Sequence, residues 1–366
     1  MASTASSPYA RNGPTRSRWS PAYAVLALPL AGMFGFFWVV SHRVSKPDIS
    51  IFTAVDQGDL KAVKDHLVTG TPIDSVSTTG HTALYTAIFD KRPEMVKFLL
   101  DNGASVSAEE RTELTPLYVA AGQGDFDLVN DLLDRGAKAD EVYKHGATAL
   151  HAAADAGNPQ VVKILLEHGA NPNARNVSTG GTPLSNAAIN GNMDSVNLLL
   201  KYGADINLRG NLDRTPVHLA CPAGNFEVVK RLVEVGAKTE LQDVSGLTPL
   251  ASALSKSSRE RISWLLMKHT TKFNVVDSKS HNLLYWAVAG RNEPAMIEAL
   301  IAKGCDPNHR DFNGETALTS AHALGLTRLE DVMLKHGGHI YLRALIERAL
   351  RGQPVRGGAG AFLSVE

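Results

Sequence analysis

The chain has 366 residues, 44% of them hydrophobic and 20% charged, and its 37 basic residues balance its 37 acidic residues. This composition is typical of a globular protein and excludes the disordered, collagen-like and disulfide-dense classes. Nucleic-acid binding needs a surplus of Lys and Arg on one face, so the balanced charge argues against that function. The two cysteines, Cys221 and Cys305, fit no metal-binding spacing and are interpreted as packing residues.

The first feature along the chain is an apolar run from Ala22 to Val40, 19 residues long. At about 1.5 Å per residue a helix of this length crosses a membrane, and Trp19 and Trp38 suit its two interfaces. We therefore predict a disordered basic segment at 1–21, a transmembrane helix or signal anchor at 22–40 and a linker at 41–49. A cleaved signal peptide is the alternative, although the run is longer than the usual apolar core of about 7 to 15 residues.

Basic residues around this run predict its orientation. Three arginines precede it, whereas two basic residues and one acid follow it: Arg11, Arg16 and Arg18, then Arg43, Lys46 and Asp48. The excess favours a cytoplasmic amino terminus, a single-pass membrane protein and repeats on the non-cytoplasmic side. A mitochondrial transit peptide is a further alternative, but Pro8, Gly13 and Pro14 would interrupt its amphipathic helix.

The rest of the chain is an internal repeat. Thr-Pro-Leu, Thr-Ala-Leu or similar tripeptides recur every 33 or 34 residues, beginning at Thr82, Thr115, Thr148, Thr182, Thr215, Thr248, Asn282 and Thr316. Thr is a good helix N-cap, and a following Pro suits the first helical position. Glycines nine residues later, such as Gly124 and Gly157, predict the end of a first helix, and pairs such as Leu99-Leu100 predict a second.

These motifs resemble the ankyrin repeat, most fully in His145 to Asn158 followed by Val161 to Asn173. The resemblance implies an all-α, ankyrin-type helical repeat solenoid with short β-hairpin fingers, preceded by the predicted transmembrane helix. About nine repeats then occupy 50–340, the first keeping only its helices. An apolar stripe predicts a carboxy-terminal capping helix at 341–351, and 352–366 is expected to be a flexible tail.

Several repeats depart from the pattern. Ala220-Cys221-Pro222 places a proline late in a first helix, and the glycine that should end that helix is replaced in three other repeats by Lys91, Ser257 and Arg291. These changes fit either a local adjustment of the stacking that suits a partner or ordinary drift of the repeats.

The sequence carries no recognisable catalytic motif. No zinc-protease, nucleophile-elbow, phosphate-loop or dinucleotide signature occurs. His151 and His218 stand where the resemblance implies a histidine that hydrogen-bonds across repeats. We therefore expect no enzyme activity, cofactor, metal or small-molecule substrate; an enzyme built on the solenoid is the remote alternative.

The resemblance instead implies protein binding on a concave face formed by finger tips and first helices. The expected binding residues, which vary between units, are Phe89, Asp90, Arg111, Gln123, Lys144, Asp155, Ile189, Asn190, Asn211, Arg214, Lys256, Lys279, His281 and Phe312. Because aromatic and Arg side chains dominate interface energies, Phe89, Arg111, Arg214 and Phe312 are the first candidates. The predicted function is a membrane-tethered interaction scaffold, with an exported soluble binder or a permanent complex subunit as alternatives.

Overall fold

The computed structural model describes residues 46–107, 115–143, 146–341 and 363–364. The predicted membrane segment 22–40 lies outside these residues, as do 342–351 of the expected capping helix and the candidate residues Arg111 and Lys144. No helix in the described part is long and apolar enough to cross a membrane. The transmembrane helix therefore stays a prediction.

The described residues form nine successive helix pairs. The first helices are α1 (Ile51–Gln57), α3 (Ala83–Phe89), α5 (Pro116–Gln123), α7 (Ala149–Ala156), α9 (Pro183–Asn190), α11 (Pro216–Ala223), α13 (Pro249–Leu254), α15 (Leu283–Ala289) and α17 (Ala317–Leu324). The second helices are α2 (Leu60–Val68), α4 (Pro93–Asp101), α6 (Phe126–Asp134), α8 (Pro159–Glu167), α10 (Met193–Lys201), α12 (Phe226–Glu234), α14 (Glu260–His269), α16 (Pro294–Ala302) and α18 (Thr327–Lys335).

The repeating threonines start the first helices, as predicted. Thr115 Oγ1 accepts a hydrogen bond of 3.1 Å from the Tyr118 amide, and Asn282 Oδ1 does the same for the Tyr285 amide. Each cap satisfies an amide that has no partner inside its helix. Asn282 thus replaces the missing threonine without changing the start of α15.

The first helices end as the sequence predicts in most repeats. Gly124 and Gly191 adopt left-handed backbone conformations, with φ of 73° and 76°. Lys91 and Arg291 adopt the same conformation, with φ of 54° and 55°, despite their side chains. The left-handed backbone conformation is therefore retained in two repeats that lack the glycine. Repeat seven differs, because α13 stops at Leu254 and a 3-10 turn follows at Ser257–Arg259.

One continuous apolar core runs through the described helices. The leucine or valine two residues after each N-cap is no more than 1% exposed: Leu84, Leu117, Leu150, Leu184, Val217, Leu250, Leu284 and Leu318. A single helix pair leaves one apolar face bare, so each repeat is stabilised by its neighbours. Alanines such as Ala120 and Ala153 are fully buried between first helices and allow them to approach closely.

Short hairpins connect the repeats. Strand β1 (Val142–Tyr143) pairs antiparallel with β2 (Ala147–Thr148), and single antiparallel bridges join Val76 to Thr82 and Val276 to Asn282. A separate parallel pair joins β3 (Ile340–Tyr341) to β4 (Leu363–Ser364). Neighbouring hairpins also hydrogen-bond through their backbones, as between the Val244 amide and the Leu212 carbonyl, 3.0 Å apart. We call the hairpins fingers.

A second set of contacts joins neighbouring repeats at the start of the second helices. Asparagine amides there donate to carbonyls near the end of the preceding repeat's first helix: Asn158 to Gly124, Asn192 to Ala154, Asn225 to Ala188 and Asn292 to Leu254, at 2.6 to 2.9 Å. Those carbonyls have no partner inside their own helix, so each bond satisfies a terminal group and fixes two repeats together. We call these bonds asparagine ties.

Candidate functional site

The predicted binding residues lie mainly on the exposed side of the first helices and on the fingers, which we call the first-helix face. Phe89 and Asp90 end α3, Asp155 lies in the last turn of α7, and Ile189 and Asn190 end α9; all five are exposed. Asn190 Nδ2 donates to Asp155 Oδ1 at 2.8 Å. The structure therefore brings the predicted residues of repeats four and five together.

Gln123 has a structural contact that the sequence did not reveal. Its Nε2 donates to the carbonyls of Ile88 and Phe89, at 2.9 and 3.2 Å. The side chain therefore connects repeat three to the end of α3. This contact positions the backbone that carries Phe89.

Two other predicted binding residues are held within the chain. Arg214 Nε lies 2.9 Å from Asp243 Oδ2 of the next repeat, and the Asp243 side chain is fully buried. His281 lies between Asp277 and Asp311, at 3.0 and 3.4 Å, and stacks on the Tyr285 ring with centroids 3.6 Å apart. Arg214 is one-third exposed, but its charge already stabilises a buried carboxylate.

The remaining described candidates lie apart from the cluster around Asp155. Asn211, Lys256, Lys279 and Phe312 are exposed, and Phe312 is 79% exposed at the finger between repeats eight and nine. Lys256 directly precedes the irregular 3-10 turn of repeat seven. The structure places them along the array rather than in one patch.

An aromatic cluster that the sequence analysis missed occupies the first-helix face of repeats two to four. Tyr118 stacks on Tyr143 with ring centroids 3.9 Å apart, Tyr85 stacks on Phe89 at 6.0 Å, and His81 tilts against Tyr85 at 4.6 Å. Phe89 is 62% exposed. The available signal was a tyrosine three residues after the N-cap, where repeats four and six carry histidine.

Tyr85 and Tyr118 of this cluster stay protonated at physiological pH. Burial raises the pKa of Tyr85 to about 12, helped by the neighbouring Tyr143 hydroxyl. Burial also raises the pKa of Tyr118, with contributions from Tyr143 and Asp155. Tyr85 and Tyr118 therefore offer neutral hydroxyls and aromatic rings, which suit contacts with both apolar and polar groups of a partner.

A recess of about 280 Å³ lies beside the aromatic cluster, between α5, α7 and α9. Its small residues are Gly122, Ala147, Ala152 and Ala156, and its polar walls include Tyr118, Asp155, Asn176 and Asn186. The recess exists because these side chains are small, and polar groups line its sides. Its volume is near the lower end of the range of about 300 to 1,000 Å³ for ligand pockets.

The histidines three residues after the N-caps of α7 and α11 are structural, as the sequence predicted. The Thr148 amide donates to His151 Nδ1 at 3.2 Å, so the other ring nitrogen, Nε2, carries the proton and donates to the Gly181 carbonyl at 3.2 Å. His218 makes the same bond to the Thr215 amide and reaches the Leu241 carbonyl at 2.9 Å. Burial lowers the pKa of both histidines. Within the described ranges no cluster of His, Cys, Asp and Glu could hold a metal ion.

The comparisons with known proteins agree with this geometry. The family model described as ankyrin repeats (3 copies) matches residues 51–143, 117–210 and 208–277, which together cover more than half of the chain. The chain belongs to the ankyrin repeat family. Ankyrin repeats indicate a protein–protein interaction domain, and the family is generally a non-enzymatic binding scaffold.

Individual relatives match only in part. A putative ankyrin repeat-containing protein of Treponema pallidum is 32% identical over 35% of this chain and 43% of its own length. The E3 ubiquitin-protein ligase KEG of Arabidopsis thaliana is 30% identical over 34% of this chain and 8% of its own length. The nuclear factor NF-kappa-B p105 subunit of Gallus gallus is 33% identical over 31% of this chain and 12% of its own length. The matched segments thus cover less than half of each relative.

Proposed function

We propose that this ankyrin repeat protein is a membrane-tethered scaffold that binds a partner protein on the first-helix face of repeats two to five. The observation that carries the proposal is the aromatic cluster of Tyr85, Phe89, Tyr118 and Tyr143 beside the recess at Asp155. Aromatic side chains next to a partly enclosed space are typical of the anchor points of protein interfaces.

Phe89 is the residue on which the proposed interface most depends. It ends α3 with its ring mostly in solvent, stacked on Tyr85. Burying an exposed phenylalanine releases about 1.5 to 3 kcal/mol, and the stacked ring beneath it limits the conformational entropy that binding must remove. Gln123 holds the backbone carbonyl of Phe89 and thereby orients this anchor.

The fingers extend the proposed surface along the array. Six successive fingers each expose one large apolar side chain: Val142, Val177, Leu212, Val244, Val276 and Phe312. Single exposed apolar residues are normal, but here each of six successive fingers carries one. This distribution favours a partner segment that follows several repeats.

The proposed tether is the apolar run 22–40. A binding domain held at a membrane meets a partner in the same membrane at a high effective concentration, so a modest affinity suffices. We place the repeats on the non-cytoplasmic side, because the arginines are concentrated before the run.

A pull-down from detergent-solubilised membranes tests the binding surface. The tagged full chain is compared with a Phe89→Ala plus Asp155→Ala variant, and recovered proteins are identified by mass spectrometry. Phe126→Ala is the matched control, since Phe126 is an exposed aromatic residue on the second helix α6. We expect a partner that is lost with the double variant and kept with the control. Unchanged recovery by a folded double variant would refute the proposed surface.

Membrane fractionation tests the tether separately. The full chain is expected to stay in the membrane pellet after alkaline carbonate extraction, whereas a variant lacking residues 1–45 is expected in the supernatant. The intact mass of the mature protein gives a second readout. A mass that lacks the first 41 or so residues would show cleavage and would replace the anchored scaffold by an exported binder.

A further inference from the structure

The largest cavity that we describe lies away from the first-helix face. It has a volume of about 750 Å³ and runs between α4 and α6, the second helices of repeats two and three. Ile88, Val96, Leu100 and Leu128 supply its apolar lining. We call this cavity the outer groove.

The groove has an identifiable cause in the sequence of the repeats. The position that carries the asparagine tie is Asp125 in repeat three, and a carboxylate cannot donate to the carbonyls of repeat two. Asp125 instead caps its own helix, accepting from the Leu128 amide at 3.1 Å. The tie is therefore missing where the groove opens, and Gln123 supplies a bond from the first-helix side only.

Two smaller cavities also lie at junctions where the tie position is not an asparagine. A cavity of about 200 Å³ lies between repeats one and two, where Arg92 occupies the tie position and donates to the Asp56 carbonyl. A third, of about 330 Å³, lies between repeats eight and nine, where Leu326 occupies it. All three outer cavities thus occur at junctions without an asparagine tie.

The two walls of the outer groove carry opposite charges. Lys91 and Lys97 belong to the α4 wall, whereas Asp125 and Asp127 belong to the α6 wall. Within the described ranges these four side chains form no salt bridge, in contrast to Arg135, which pairs with Asp101 and Asp131 at the far end of the groove. The walls are therefore available to charges that a ligand brings.

We infer that the outer groove binds an amphipathic helix of a partner protein, with acidic side chains facing α4, apolar side chains on the floor and basic side chains facing α6. Each wall is a helix of nine residues, or about 13 Å, which matches two turns of a bound helix. Anchors at i, i+3, i+4 and i+7 span that length and are the usual way in which a helix occupies an apolar groove. This site is separate from the first-helix face and does not depend on the function proposed for that face.

Designed peptides test the inference with the detergent-solubilised full chain. Three labelled peptides of about 18 residues share one leucine stripe and differ in their flanks, which carry Glu on one side and Lys on the other, Glu on both, or Lys on both. Fluorescence anisotropy measures their affinities. We expect the mixed peptide to bind about tenfold more tightly than either uniform peptide, because each uniform peptide places one flank against a wall of like charge.

Two variants connect binding to the groove. Asp125→Asn keeps the helix cap and supplies the missing amide donor, so we expect a protein that is at least as thermally stable and binds the mixed peptide at least about tenfold more weakly. Asp194→Asn is the matched control, since Asp194 is an exposed first-turn carboxylate of α10, at a junction with a tie. Lys91→Glu together with Lys97→Glu replaces the two lysines of the α4 wall by acidic residues and should transfer the preference to the Lys-flanked peptide.

Several results would overturn the inference. Equal affinity for the three peptides would show that the charged walls do not select the ligand. Unchanged binding by Asp125→Asn would show that the peptide binds outside the outer groove. A dimer of the wild type that dissociates with Asp125→Asn would assign the groove to a second copy of this chain instead.

Discussion

The ion pair between Arg214 and Asp243 leads to a prediction that separates stability from binding. Replacing Arg214 by Ala leaves the buried Asp243 carboxylate with two backbone donors, the amides of Ser245 and Leu247 at 2.8 and 3.0 Å. A hydrogen bond to a charged group contributes about 1.5 to 3 kcal/mol. Because Arg214 is one-third exposed, water can replace part of this interaction in the variant. We therefore expect the free energy of unfolding to fall by about 1.5 kcal/mol, near the lower end of that range.

Arg214→Glu should cost more than removal of the guanidinium. It places a second carboxylate beside one that is fully buried, so the loss should reach about 3 kcal/mol. This substitution would therefore weaken the binding of any partner by destabilising the fold as well as by removing contacts. A binding experiment that relies on it cannot distinguish the two effects.

Native-state hydrogen exchange gives the local readout. A loss of about 1.4 kcal/mol corresponds to roughly tenfold faster exchange of the Ser245 and Leu247 amides in the Arg214→Ala variant, if opening is local. Lys163→Ala is the control, since its pair with Glu167 is exposed and should contribute about 0.5 kcal/mol or less. Exchange rates within twofold of the wild type at both amides would refute the structural role of Arg214 and leave it free for a partner.

Three further predictions follow from buried side chains. Leu165→Ala empties a fully buried site and should lower the free energy of unfolding by about 2 to 5 kcal/mol in urea titrations, whereas an effect below about 1 kcal/mol would contradict the single continuous core. Because burial lowers the pKa of His151, the unfolded chain binds more protons, and stability should fall as the pH drops below about 6.5. A His151→Gln variant should show a shallower pH dependence of its unfolding midpoint, and an unchanged slope would assign the effect to other groups. Burial raises the pKa of the Cys305 thiol to about 12 and that of Cys221 further still, so both should react with a disulfide reagent only after unfolding; rapid reaction of the native protein would contradict their burial.

The sequence predicted the local structure well because each signal acts over a few residues. Thr115 caps the amide three residues on, and Gly124 ends the same helix, so neither depends on distant parts of the chain. The periodic leucines likewise predicted the core, since their spacing alone sets which side of a helix they occupy. Lys91 stands where other repeats have glycine, and it still adopts the left-handed backbone conformation that the position requires.

The surface was predicted less completely, because it depends on contacts between repeats. The sequence predicts Arg214 as an interface anchor, yet its partner Asp243 is 29 residues away, and only the stacking of two repeats brings them together. The stacking of Tyr118 on Tyr143 also depends on the angle between a helix and the finger that follows it. The groove at Asp125 could not be predicted from the sequence, because it depends on which backbone carbonyls of the preceding repeat the tie position faces. Only the structure shows those carbonyls.

The uneven distribution of the asparagine ties has a mechanical consequence. Asn158, Asn192 and Asn225 join repeats three to six in an unbroken series, whereas the first two junctions carry Arg92 and Asp125 instead. A pulling force applied at the amino-terminal end of the array reaches the junctions without ties first. Because Arg92 still donates to the Asp56 carbonyl, the junction at Asp125 is the first along that path where the tie position supplies no donor, and Gln123 and Arg135 transmit the force there through their bonds to repeat two.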